Sequence, residues 1–311
     1  GFPEDTKALS RGIFDDDDYF SQADMVFDER EKLFHHALSR WNDGFLFFYF
    51  SSTDLNQHMF FRTIDPEHPL HDAVPRRFRH VMAELYARAD RSVGRAMELL
   101  DPDTEVLVIS DHGFAPFNRG FGLNSWLAAE GYAHIESPKD RNKDMFACLD
   151  WSRTSAYGLG LNSLYVNLAG REPHGTVPEA EKYALLQRIA RDLENAVDPF
   201  NGRNPVKRAF ITADLFPQAQ LPPTAPDMIV GYNRGYRCSW ETALGAFPEE
   251  VITHNGDPWS GDHCIDDRAR VVGEGGGQVE PRQRIGQRTL GNGGAAVEEH
   301  DVVGQPCHFV R

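Results

Sequence analysis

The sequence lacks long apolar runs and an excess of basic residues. Its longest apolar run is Phe45–Phe50, six residues, whereas a helix needs roughly 20 apolar residues to cross a bilayer. We therefore expect no membrane span. The chain has 32 Lys and Arg against 47 Asp and Glu, a formal charge of −15. Because an acidic surface repels phosphate, nucleic acid is not expected as a stable partner.

Cysteine is also scarce and scattered. The four cysteines, Cys148, Cys238, Cys264 and Cys307, form no CxxC pair. This spacing argues against a disulfide framework and against a cysteine-based zinc site. The 41% hydrophobic content is enough for a folded core. If the substrate of so acidic a chain is an anion, a bound metal ion is a natural source of positive charge.

The two ends of the chain differ from its body. It begins Gly1-Phe2-Pro3 without an initiator Met, so a targeting segment further upstream stays possible and the sequence assigns no compartment. Residues 267–311 hold nine of the 27 glycines and show no sustained period of 2 or 3.6. We expect residues 266–311 to be either a disordered tail or sequence read in the wrong frame.

The body of the chain predicts an α/β fold with a mostly parallel sheet flanked by helices. Residues 22–41 and 75–100 carry apolar side chains at helical spacing. The apolar runs Phe45–Phe50 and Val106–Ser110 read as strands buried on both faces. Strand, helix and strand in this order predict a βαβ unit. Residues 118–255 are richer in loops and predict a smaller inserted subdomain that caps the site.

Polar residues with metal-ligand chemistry follow both strands. Asp54 and His58 are four residues apart, so one helical turn presents them on the same face. Asp111 and His112 come directly after the second strand, and ligands of open parallel sheets bind outside the carboxyl ends of strands. Carboxylate and imidazole together suit zinc, manganese or iron better than calcium. A capping Asp with a nearby His is the structural alternative for either pair.

A third element, Trp259-Ser-Gly-Asp262-His263, lies in a glycine-containing loop. His263 would complete a three-ligand site, although a single loop histidine is more often an ordinary surface residue.

The motifs FYFSSTDLNQH, VISDHGF and WSGDHC, in this order and at these distances, resemble the alkaline phosphatase superfamily. The similarity is greatest to its type I phosphodiesterase/nucleotide pyrophosphatase branch of predicted phosphohydrolases and phosphomutases. Residues 151–172, WSRTSAYGLGLNSLYVNLAGRE, also resemble that branch. The resemblance covers roughly residues 1–265, which we therefore interpret as the C-terminal part of an alkaline phosphatase-like catalytic domain.

The resemblance implies a phosphoester hydrolase with two divalent metal ions about 4 Å apart. They would be zinc, with manganese as the alternative. One ion would be held by Asp54, His58 and His263, and the other in part by Asp111 and His112. The substrate would be a phosphorylated small molecule.

The family's nucleophile motif has no match in this chain, so no catalytic nucleophile is assigned and the chain is expected to be inactive by itself. The alternatives are a phosphomutase of the same superfamily and a non-catalytic metal-binding fragment. The sequence does not give the substrate, the metal, the compartment or the oligomeric state.

Overall fold

The computed structural model describes residues 2–216 and 221–263, together with the backbone of a short strand at 308–310. The tail prediction for residues 266–311 therefore falls almost wholly outside the described residues. The chain divides into two compact units, the first built from residues up to Pro116 with Gly256–His263, and the second from Phe117–Asn255. No helix within the described ranges is long and apolar enough to cross a membrane.

The helices of the first unit are α1 (Thr6–Ser10), α2 (Asp16–Arg40), α3 (Ser52–Phe60) and α4 (Val81–Leu99), and three 3₁₀ turns lie between the last two, at Phe61–Thr63, His71–Ala73 and Arg76–His80. Its strands are β1 (Phe48–Tyr49), β2 (Leu107–Ile109), the first residues of β3 (Ala115–Phe121), β10 (Gly261–Asp262) and β11 (His308–Val310). Two apolar clusters form its core, one around Phe60, Phe78 and Phe114, the other around Phe34 and Phe50.

The acidic run Asp15–Asp18 explains where α2 begins. The Asp15 carboxylate accepts a hydrogen bond from the amide of Asp18, and the Asp18 carboxylate accepts one from the amide of Asp15. This reciprocal cap satisfies amides that the helix itself leaves unpaired, and negative charge is favourable at a helix N-terminus. The run therefore starts a helix.

The mostly parallel sheet is not confirmed. In the first unit β11 lies between β1 and β2 and runs antiparallel to both, so β1 and β2 share a direction without being neighbours. Sequence patterns could not anticipate this, because the tail segment that contributes β11 carries no strand signal. The expectation that Phe45–Phe50 is buried on both faces is also wrong, since Phe45 and Phe47 are 60% and 50% exposed.

The second unit contains an antiparallel sheet in the order β4-β5-β7-β6. The strands are β4 (Ala156–Gly158), β5 (Ser163–Val166), β6 (Val206–Ile211) and β7 (Met228–Tyr232). The connection from β4 to β5 is only four residues long, which permits antiparallel but not parallel pairing. This sheet and helix α6 (Glu179–Glu194) contribute to one apolar core, with Leu186, Ile189 and Leu193 of the helix buried.

The rest of the second unit surrounds β3. Residues Phe117–Phe121 of this strand pair in parallel with β8 (Gly235–Cys238) and antiparallel with β9 (Ile252–His254). The remaining helices are α5 (Leu123–Ala129), α7 (Thr212–Leu215) and α8 (Trp240–Ala243), with a 3₁₀ turn at Pro138–Asp140. The fold is thus mixed α/β. The interpretation of residues 118–255 as a cap over the site stays a prediction.

Candidate metal centre

Helix α3 presents the first pair of candidate ligands. Asp54 lies in its first turn and His58 one turn later, and the two side chains face each other with 3.7 Å between His58 Nε2 and Asp54 Oδ1. The Thr53 hydroxyl donates to the carbonyl of Phe50 at 3.0 Å, which ties the helix start to the preceding strand. The i, i+4 spacing therefore places both side chains on one helical face, as the sequence predicts.

The loop after β2 carries the second pair. His112 Nδ1 lies 3.1 Å from the carbonyl oxygen of Gly113, and the Ser110 hydroxyl donates to the carbonyl of His112. A carbonyl only accepts, so the Nδ1 hydrogen donates to it and the Nε2 lone pair faces outward. Nε2 lies 3.9 Å from Asp54 Oδ1 and 3.6 Å from Asp111 Oδ2.

The third motif packs directly against α3. The Ser260 amide donates to the carbonyl of His58 at 2.6 Å, and the Arg62 amide donates to the Ser260 hydroxyl at 2.9 Å. At Gly261 a Cβ atom would lie 2.6 Å from the carbonyl oxygen of Gln57, so only glycine permits this approach. This packing brings His263 next to Asp54, with 3.4 Å between His263 Nε2 and Asp54 Oδ1.

Three imidazole nitrogens thus converge on one carboxylate oxygen. Asp54 Oδ1 is buried and accepts no hydrogen bond of normal geometry from any described residue, yet the Nε2 atoms of His263, His58 and His112 lie 3.4, 3.7 and 3.9 Å away. Ligand atoms of Asp54, His112 and His263 all lie within 4.8 Å of one another. Asp111 sits at the edge of this group, with a side chain that is 64% exposed.

The environment of His58 keeps its ring neutral. Its Nδ1 hydrogen donates to the carbonyl of Gly261 at 2.7 Å, and the Trp259 indole stacks on the ring with centroids 3.8 Å apart. Burial lowers the pKa of His58 to about 4, against the opposing effects of Asp262 and Asp54. A neutral imidazole with its Nδ1 hydrogen engaged has its Nε2 lone pair available for a metal.

Asp54 is correspondingly held as a carboxylate. Burial by itself raises the pKa of Asp54, but the close approach of His263 and the neighbouring rings of His58 and His112 outweigh it, and the net shift is downward. An ionised oxygen beside the Nε2 atoms of three imidazole rings is a ligand set that suits zinc or manganese. The residues present therefore fit a transition-metal ion.

All five predicted ligands lie in the first unit. The Nε2 atoms of His58, His112 and His263 surround Asp54 Oδ1, and Asp111 lies beside His112. The assignment of these ligands to two separate ions stays a prediction. The sequence analysis did not predict that Trp259 stacks on His58 or that the Gly261 carbonyl accepts its Nδ1 hydrogen. Both residues lie in the third motif, and their closeness in sequence to His263 was the available signal.

The family model for type I phosphodiesterase / nucleotide pyrophosphatase matches residues 7–245. The chain belongs to this family. The type I phosphodiesterase/nucleotide pyrophosphatase family is part of the alkaline phosphatase superfamily, its activity is phosphoester hydrolysis, and its members are typically metal-dependent. The matched range includes the first two ligand pairs of this phosphodiesterase-family chain and ends before His263. Comparisons with curated proteins and with solved structures gave no match.

Proposed function

We propose that this chain provides the metal-binding half of a phosphoester hydrolase of the diesterase/pyrophosphatase type. The observation that carries the proposal is the convergence of three imidazole Nε2 atoms on the buried Asp54 Oδ1, at 3.4–3.9 Å, in a chain of this family. We assign Asp54, His58 and His263 to one divalent ion, and Asp111 and His112 to a second. Zinc is the expected metal and manganese the alternative.

The chain's own residues would do three things in this reaction. The carbonyls of Gly261 and Gly113 fix the tautomers of His58 and His112, so that both rings present Nε2. Asp54 supplies negative charge between them. Bound divalent ions would lower the pKa of an attacking hydroxyl and neutralise charge on the phosphoryl oxygens, which explains how so acidic a chain can accept a phosphate.

The nucleophile is the part of the mechanism that we do not place in this chain. Ser51, Ser52 and Thr53 are hydroxyls close to Asp54 in sequence, but they belong to the metal-ligand segment, and the Thr53 hydroxyl donates to the carbonyl of Phe50. We propose that the nucleophile comes from sequence upstream of this chain. By this reasoning the chain binds metal and the substrate phosphate, but it hydrolyses diesters only when that segment is present.

Elemental analysis of the purified chain tests the metal centre. We expect at least one bound transition-metal ion per chain, since ligands of this kind hold zinc tightly near neutral pH. The His58→Ala and His263→Ala variants should lose it, whereas a His36→Ala control on the exposed surface of α2 should keep it. A folded chain without metal would contradict the ligand assignment.

Hydrolysis assays test the role of the chain. Bis(p-nitrophenyl) phosphate and p-nitrophenyl phosphate distinguish diesterase from monoesterase activity, and both should give negligible turnover with the chain alone. Restoration of the upstream sequence should produce turnover with a preference for the diester. Metal-dependent turnover by the chain alone would contradict our placement of the nucleophile.

A further inference from the structure

The indole ring of Trp259 lies directly on the imidazole of His58. The two ring centroids are 3.8 Å apart, with 24° between the ring planes. The Phe114 ring meets the same imidazole at 70°, with centroids 4.7 Å apart. The Gly261 carbonyl accepts the Nδ1 hydrogen of His58 at 2.7 Å. Two aromatic contacts and one hydrogen bond therefore restrict the rotation of this imidazole.

The polar edge of the same indole reaches the loop that carries His263. Trp259 Nε1 donates a hydrogen bond to Asp262 Oδ2 at 3.0 Å, and Asp262 Oδ1 accepts one from the backbone amide of His263 at 2.8 Å. Asp262 is only 8% exposed, so both hydrogen bonds are largely shielded from water. One indole thus contacts the first candidate ligand directly and is linked to the second through a carboxylate.

The backbone of this loop is anchored to α3 without the indole. The Ser260 amide donates to the carbonyl of His58 at 2.6 Å, and the Ser260 hydroxyl donates to the same carbonyl at 3.2 Å. Trp259 itself is only partly buried, where it packs against the apolar cluster around Phe60 and Phe78. A substitution of Trp259 should therefore alter the orientation of the imidazoles more than the attachment of the loop.

The orientation of an imidazole matters because its Nε2 lone pair lies in the plane of the ring. The rings of His58 and His263 have centroids 5.2 Å apart, and their Nε2 atoms lie 3.7 and 3.4 Å from Asp54 Oδ1. Rings that are held in place before a metal arrives lose less side-chain entropy when they bind it. Groups that fix a ligating imidazole accordingly influence metal affinity.

We propose that Trp259 is a positioning residue of the candidate metal centre. It holds the ring of His58 by stacking and the backbone of His263 through Asp262. The inference rests on the proposed metal centre, and it gives a role to a side chain that offers no metal-ligand atom. Metal affinity should therefore depend on the aromatic side chain at this position as well as on the ligands.

Titration calorimetry with Zn²⁺ and absorption spectroscopy with Co²⁺ test this role on the full chain after chelator treatment. Trp259→Leu should weaken Zn²⁺ binding about ten- to a hundred-fold, the range observed when groups that support a ligand are removed. Trp259→Phe should weaken it less, because a phenyl ring still stacks on His58 although the N–H is lost. The visible absorption of bound Co²⁺ reports the arrangement of its ligands, and it should change most in Trp259→Leu.

Phe20→Leu is the matched control for a general loss of packing. Phe20 packs against the same apolar cluster as Trp259, and its ring contacts within the described residues are with Phe60 and Phe78. The Phe20→Leu variant should have a lower melting temperature than the wild type. It should keep the Zn²⁺ affinity and the Co²⁺ absorption of the wild type, because its packing defect lies away from the imidazoles.

The outcomes separate this inference from the metal centre. A folded Trp259→Leu variant with wild-type Zn²⁺ affinity and Co²⁺ absorption would overturn the role of Trp259 and leave the metal centre intact. Equal weakening in Phe20→Leu would also overturn it, since a general loss of stability would explain both variants. No Zn²⁺ binding by the wild type would overturn the metal centre and the inference with it. If Trp259→Leu does not fold, Trp259→Phe replaces it, and wild-type affinity and absorption in that variant would overturn the inference.

Discussion

Acidification should destabilise the metal-free chain through two buried histidines. Burial lowers the pKa of His58 from its ordinary 6.5 to about 4. Burial, followed by the charge of Arg62, lowers the pKa of His68 from 6.5 to about 4 as well, and the Leu70 amide donates to Nδ1 of this ring at 3.1 Å. In both rings the folded state therefore favours the neutral form.

The direction of this pH effect on stability depends on whether the folded or the unfolded chain binds the proton first as the pH falls. The unfolded chain takes up a proton at each histidine near pH 6.5, whereas the folded chain resists protonation until about pH 4. Stability is therefore complete above pH 6.5 and declines as the pH falls toward 4. Between pH 7.5 and 4.5 each histidine should remove about 2–3 kcal/mol of unfolding free energy. The sum, about 5 kcal/mol, approaches the whole stability of an ordinary domain.

Urea unfolding of the chelator-treated chain at both pH values measures this loss. His58→Gln and His68→Gln should each remove about half of the pH dependence, whereas His36→Gln, on an exposed part of α2, should leave it unchanged. Added Zn²⁺ should protect the folded chain at pH 7.5, where the imidazole ligands are neutral. A His58→Gln variant with the same pH dependence as the wild type would show that His58 is not a source of the acid destabilisation.

Two substitutions test the packing on which each unit depends. Gly261→Ala places a Cβ atom 2.6 Å from the carbonyl oxygen of Gln57, so urea unfolding should show a loss of about 1–3 kcal/mol in unfolding free energy. Zinc titration should show weaker binding, because the change displaces His263. An unchanged zinc affinity would contradict this prediction. Asp227→Asn removes a buried carboxylate that pairs with Arg171 and Lys182 at 2.7 Å each, so it should cost about 3 kcal/mol in urea unfolding. Glu98→Gln, at the exposed pair with Arg95, should change little.

Much of the local structure was predictable because its causes lie close together in sequence. The apolar spacing of residues 75–100 predicts α4 and the 3₁₀ turn before it. The apolar run Phe45–Phe50, followed by polar residues, predicts β1 and then α3. The four-residue separation of Asp54 and His58 fixes their common face. The family follows from motifs in the same way, since the order and distances of three short segments were sufficient.

The sheets were less predictable because strand pairing is decided at long range. The run Phe45–Phe50 identifies a strand, but it does not say which strand lies beside it. The pairing of β1 and β2 through β11 depends on a segment some 200 residues after β2. An apolar run likewise cannot show how many faces are covered, and Phe45 and Phe47 are exposed.

The candidate metal centre also has some features that are local in sequence and others that depend on long-range contacts. Residue types and local spacing were enough to predict the candidate ligands, because they decide which side chains can bind a metal. The position of Asp54 Oδ1 among the three histidines depends instead on tertiary contacts. Tertiary contacts also place the Gly261 carbonyl against Nδ1 of His58, which sets the tautomer of that ring. These facts depend on contacts between segments up to about 200 residues apart, and residue spacing along the chain does not encode such distances.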